Sequence, residues 1–178
     1  MQNRYKLGVN MEYLSEKNVL EAFGWECKAN RRYTFFAEKA EAEGYPQIAK
    51  LFRAVAEAEL VHARNHLNVI DAIGSTKDNV LGASIGERQD FTEMYPIFIQ
   101  SAQKESNDRA EQSFTWANKV EKIHYGYFED AFKELKEGKK PADATYYVCQ
   151  QCGNTVKGKA PDKCPICGAA GKTFKKIE

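Results

Sequence analysis

A chain of 178 residues is long enough for one core of ordinary size with a small module beside it. Its 26 Lys and Arg almost cancel its 25 Asp and Glu, and the resulting formal charge of +1 excludes an electrostatic case for nucleic acid or an anionic membrane surface. Nowhere do about 18 apolar residues run together, and "MQNRYKLGVNMEYLSEK" holds no apolar stretch of signal-peptide length, so the expectation is a soluble, cytoplasmic protein.

Apolar residues recurring every three and four positions predict four helical segments between residues 15 and 137, in a first domain spanning 1–140. The first segment lines up Val19, Phe23, Glu26, Asn30 and Tyr33 on one face, and Gly44 with Pro46 marks its end. In the second, Ile48, Phe52, Val55, Glu59, His62, His66 and Val69 alternate spacings of four and three, a stripe expected to face the bundle core. Glu57 lies two positions off that stripe, about 200 degrees around at roughly 100 degrees per residue, and falls to solvent. Gly74 closes this segment. The third carries Val80, Ala83, Glu87, Met94 and Phe98; Pro96 falls inside it, removes the bond to the Thr92 carbonyl and predicts a local kink. After "KESND" at 104–108, the fourth presents Phe114, Ala117, Glu121, His124 and Phe128. "KEGKKPADAT" at 136–145 reads as a linker. Four helices with short connections predict an all-α four-helix bundle.

Each inward line carries one glutamate, and two of them add a histidine three residues on. Glu26 to Glu87 is 61 residues, whereas Glu59 to Glu121, His62 to His124 and Phe52 to Phe114 are each 62, so the domain reads as two copies of one helix pair. Four inward carboxylates are costly to bury when ionised and unpaired. Two divalent cations balance them, with two neutral imidazoles completing the ligand set, which is the pattern of di-iron and di-manganese carboxylate bundles. His66 shares the stripe but has Phe128 at its equivalent position, and is read as a core or supporting residue.

Four of the five cysteines crowd into a second domain, 146–178, as C-x2-C-x11-C-x2-C with a glycine after each pair, "CQQCG" and "CPICG". Cys149, Cys152, Cys164 and Cys167 are expected to hold one metal tetrahedrally and so to stabilise a module too small to fold by apolar burial alone. Tyr146, Tyr147 and Phe174 are read as its miniature core. Zinc and iron both suit four thiolates; a neighbouring two-metal carboxylate site has a use for the single electrons that iron passes and zinc does not.

"WECKANRRYTFFAEKA", "AEAELVHARNH", "GERQDFTEMYP", "VEKIHYGYF" and the cysteine knuckles together resemble rubrerythrin over nearly all of the chain after residue 17. The resemblance implies a ferritin-like di-iron four-helix bundle followed by a rubredoxin-like module, with three irons per chain. It implies Glu59 and Glu121 as bridging ligands, Glu26 and Glu87 as terminal ligands, His62 and His124 as ligands to one iron each, and Tyr33 and Tyr95 beside the cluster. In the family a further glutamate, one turn after the third-helix ligand, exchanges with the second-helix histidine; here that position is Asp90, one methylene shorter. Cys27 stands where the family commonly has a small polar residue, and is read as a buried thiol. The implied activity is reduction of hydrogen peroxide, fed by a separate nicotinamide-linked reductase or a rubredoxin, in a head-to-tail homodimer. A ferritin-like ferroxidase or iron-storage protein is the competing reading, and a scaffold with a zinc ribbon is a third.

Overall fold

The computed structural model describes residues 14–178; the first thirteen residues of the 1–140 segment lie outside the described residues. Helices α1 (Leu14–Ala42) and α2 (Pro46–Val69) make up a first compact unit. Gly44, at φ +80°, ends α1: its N–H reaches the Glu41 carbonyl at 3.0 Å while the Tyr45 N–H reaches the Ala40 carbonyl at 2.8 Å, the paired bonds that close a helix C-terminus. Pro46, with no N–H to leave unpaired, opens α2.

The short connection turns the chain back on itself. Asn30 accordingly donates to the Ala56 carbonyl at 2.7 Å, the Tyr33 and Phe36 rings pack on Phe52, and Arg53 pairs with Glu41 at 3.0 Å. The buried line of α2 is Ala49, Ala56 and Ala63, seven residues apart, with Ala37 and Ala40 buried on α1. Here the structure departs from the predicted stripe, since Ile48 and Val69 remain 47% and 69% exposed. The alanine line lies one position along from Ile48, Val55 and His62, and its small side chains are what allow the two backbones to approach.

The second unit begins at Ser75, whose hydroxyl accepts from the Asp78 N–H at 3.2 Å and caps α3 (Thr76–Gln89). A π-helical turn, Asp90–Met94, joins α3 to α4 (Tyr95–Lys104). The disturbance expected at Pro96 therefore appears as a widened turn just ahead of it, with Pro96 in the first turn of α4 where a missing N–H costs least. Asn107 caps α5 (Asp108–Lys136) by accepting from the Ala110 N–H at 3.2 Å. Helices α3 and α4 run back along α5, as ring contacts of Phe91 with Tyr125 and of Tyr95 and Phe98 with Phe114 record.

Residues 139–145 have no regular structure and lead to strands β1 (Tyr146–Cys149), β2 (Thr155–Lys157) and β3 (Phe174–Ile177). These form an antiparallel sheet in the order β2-β1-β3, so β2 is an edge. Among the described residues, no helix is long and apolar enough to cross a membrane.

Candidate metal centres

The register of α1 against α2 brings Glu26, Glu59 and His62 together, with ligand atoms all within 4.8 Å of one another. His62 Nδ1 lies 2.9 Å from Glu59 Oε2 and 3.9 Å from Glu26 Oε1. A spacing of three keeps Glu59 and His62 on one side of α2, because three residues turn the helix through about 300 degrees. His66, one turn further along, reaches Glu26 Oε1 at 4.0 Å, so it stands beside this trio rather than in it. Glu57 is exposed and Cys27 is half-buried. Tyr33 sits among Phe36 and Phe52.

In the second unit the same arrangement recurs with Glu87 of α3 and Glu121 and His124 of α5, again within 4.8 Å. His124 Nδ1 is 2.8 Å from Glu121 Oε2 and 3.7 Å from Glu87 Oε2. Burial, then the hydrogen bond and charge of Glu121, push the Glu87 carboxyl up to about 7. The hydrogen bond from His124 draws Glu121 down, and the same bond raises His124. One carboxyl of this cluster thus keeps a proton near neutrality, and a divalent cation would replace it.

Asp90 lies in the π turn outside the trio; burial and the charge of Glu121 raise its carboxyl. Tyr95 is raised by burial first, then by Glu121, Asp90 and Glu87, and so stays a phenol with a hydrogen to donate.

In the small sheet, Cys149, Cys152, Cys164 and Cys167 converge. Each cysteine pair is built the same way. Gly153 and Gly168 take φ of +80° and +78°, a conformation costly for other residues, and return their N–H groups to the Cys149 and Cys164 carbonyls, each at 2.9 Å. The Cys149 and Cys164 N–H groups in turn bond the Asn154 and Ala169 carbonyls at 2.9 and 2.7 Å. Sulfur separations are 3.7 Å for Cys149 and Cys167 and 3.6 Å for Cys152 and Cys164. Metal–sulfur bonds of about 2.3 Å require tetrahedral edges of about 3.8 Å, so the cage fits one ion. Burial opposes ionisation of Cys149, but the N–H groups of Gln151 and Cys152 with the Cys167 and Thr173 side chains bring its thiol down to about 7; Cys152 and Cys167 are raised, chiefly by burial.

Sequence reasoning missed how this module meets α5. Edge strand β2 leaves outward backbone groups, and Tyr127 covers them: its hydroxyl donates to the Thr155 carbonyl at 3.3 Å and accepts from the Lys157 N–H at 3.1 Å. Tyr146 packs edge-on against the Tyr127 ring at 5.9 Å, so it belongs to the seat on α5 as well as to the module. Thr155 Oγ1 lies 2.9 Å from His124 Nε2. The available signal was slight: Tyr127 follows His124 by one helical step of three.

Helix-borne carboxylate–histidine trios combined with an appended tetrathiolate cage define a metal protein of the ferritin-like class carrying a rubredoxin-like domain. Residues 17–132 match the rubrerythrin family and residues 147–175 match the rubrerythrin rubredoxin-like domain, and the chain belongs to the rubrerythrin family of iron-binding oxidoreductases. It is 36% identical to rubrerythrin-2 of Clostridium acetobutylicum, over 90% of this chain and 98% of that protein. Nigerythrin of Nitratidesulfovibrio vulgaris is 33% identical, over 89% and 84% of the two chains. A solved structure of nigerythrin in its fully reduced, all-ferrous state superposes with a TM-score of 0.55 at 29% identity, covering 99% of this chain and 94% of that one.

Proposed function

We propose that the chain is a non-haem di-iron peroxidase that reduces hydrogen peroxide to water in the cytoplasm. The observation that carries this reading is the double duty of α5, which holds Glu121 and His124 of one trio and also seats the four-cysteine module. A storage protein needs no one-electron carrier beside its metal ligands.

In this reading Glu26, Glu59 and His62 hold one iron, Glu87, Glu121 and His124 a second, and Cys149, Cys152, Cys164 and Cys167 a third. When bound, the irons supply the two electrons consumed in H2O2 + 2 e− + 2 H+ → 2 H2O and their replacement one at a time. The chain's own part is placement and protons. Glu121 and His124 share a hydrogen bond that orients the imidazole toward Glu87, and Tyr95 keeps an O–H near the same carboxylates to give or relay a proton. Tyr33 has the corresponding place by resemblance. A reduced nicotinamide acting through a separate reductase, or a rubredoxin, is the donor, and a head-to-tail homodimer belongs to the same proposal.

Anaerobic reduction followed by peroxide tests it, with the visible absorption of the tetrathiolate iron as the signal. Rapid reoxidation that is lost in Glu121→Ala and kept in the exposed-site control Glu57→Ala supports the reading. No response to peroxide, with oxidation and retention of added ferrous iron, replaces it with the ferroxidase reading.

A further inference from the structure

His124 is held from both sides of its ring. Nδ1 faces Glu121 and Glu87, while Nε2 faces Thr155 Oγ1 at 2.9 Å. An imidazole that gives its Nδ1 lone pair to a metal must carry its hydrogen on Nε2, and needs an acceptor there. Thr155 is built to be that acceptor: its single hydroxyl hydrogen is directed at the Gly153 carbonyl, 3.2 Å away, which leaves lone pairs for the ring.

The backbone that carries Thr155 is held in place: the Tyr127 hydroxyl bonds the Thr155 carbonyl and the Lys157 N–H. On the other side, two residues separate Thr155 from Cys152, and the intervening Asn154 is almost wholly buried: its carbonyl accepts from the Cys149 N–H and its amide points at Cys164 Sγ, 3.7 Å away. Order in the cysteine cage is therefore transmitted along three residues to the hydroxyl that meets His124.

We infer that Thr155 is a positioning residue for His124: by accepting the Nε2 hydrogen it fixes the ring with Nδ1 aimed at the metal position beside Glu87 and Glu121, so that Nδ1 can give its lone pair when a cation displaces the hydrogen it shares with Glu121. Seating the four-cysteine module on α5 and loading that trio with metal then favour each other within one chain. The inference rests on the proposed metal-binding role of the trio, and not on peroxide as its substrate. Linkage makes the effect reciprocal: the factor by which a seated module tightens metal binding is the factor by which metal tightens the seat. Losing a partner that orients a histidine ligand typically weakens metal binding by about 10- to 100-fold.

The test uses the full-length chain loaded with zinc for NMR and with cobalt(II) for titration. In the wild type, the His124 Nε2–H gives a slowly exchanging proton in histidine 15N correlation spectra. Thr155→Val is expected to speed that exchange at least tenfold and to lower cobalt(II) affinity at the trio about 10- to 100-fold, while Thr155→Ser restores both. The thiolate charge-transfer bands of cobalt(II) must be equal in all three proteins, which shows that the module is folded. Unchanged Nε2–H exchange and affinity in Thr155→Val overturn the inference, as does a wild-type trio that takes up neither metal. Because no peroxide is used, a chain that ignores peroxide yet shows the Thr155 effect refutes the proposed reaction and leaves this coupling standing.

Discussion

Tyr127→Phe removes one oxygen from the seat of the module and leaves the ring contact with Tyr146 in place. Two hydrogen bonds go with that oxygen, one of 3.3 Å to the Thr155 carbonyl and one of 3.1 Å from the Lys157 N–H. Lys157 is exposed, so water replaces part of what is lost, and each bond is worth about 0.5–1 kcal/mol net. Together they amount to about 1–2 kcal/mol, or roughly a 5- to 30-fold shift toward the undocked module. Native-state hydrogen exchange measures this directly. The Lys157 amide should exchange faster by that factor and the 139–145 segment should be cut faster by protease, while amides in the middle of α5 keep their rates. The reasoning is refuted if Lys157 exchange is unchanged. It is equally refuted if every amide of α5 accelerates alongside it, because Tyr127 would then be supporting the helix and not the seat.

Three further outcomes follow from the geometry. Glu87 carries a proton below about pH 7 that a cation must displace, so the trio's affinity for cobalt(II) in chelator-stripped protein should fall about tenfold per unit as pH drops below 7; calorimetry in two buffers should count at least one proton released per ion at pH 6. Ala56→Leu inserts three carbons into the buried alanine line of α2 and should cost about 1–3 kcal/mol. A melting-point drop of about 3–10 °C checks it, and no shift would mean that α1 and α2 meet loosely. Stripping the tetrathiolate metal from a module this small should collapse the NMR signals of residues 146–178 to random-coil positions while the helical circular dichroism persists.

What could be read from the sequence follows the physics of each feature. Gly44 with Pro46 announced a turn because a left-handed residue followed by one lacking an N–H cannot continue a helix. The boundary near 104–108 was fainter because Ser106 takes the left-handed position there, at φ +52°, with no glycine to advertise it; Asp71 does the same at +50° after α2. The Glu-x-x-His pairs were legible since helical periodicity alone puts both side chains on one face. Periodicity could not decide which flank of α2 meets α1, because the alanine line carries little hydrophobicity and is buried for its small size. Nor could Pro96 reveal that its strain would be taken up as a π turn through Asp90.

The repeat of 62 residues invites the expectation that the two trios are equivalent, and in residue types they are. Their surroundings are not. The four-cysteine module occurs once in the chain, and within the second unit it covers His124, whose side chain is 26% exposed against 54% for His62. Duplication of a helix pair copies side chains that lie on the helices themselves, whereas a contact supplied from outside the repeat, such as the Thr155 hydroxyl, reaches only the copy it touches. The symmetry visible in the sequence therefore describes the two carboxylate–histidine trios, and the unduplicated module adds to one imidazole a contact that the repeat does not supply.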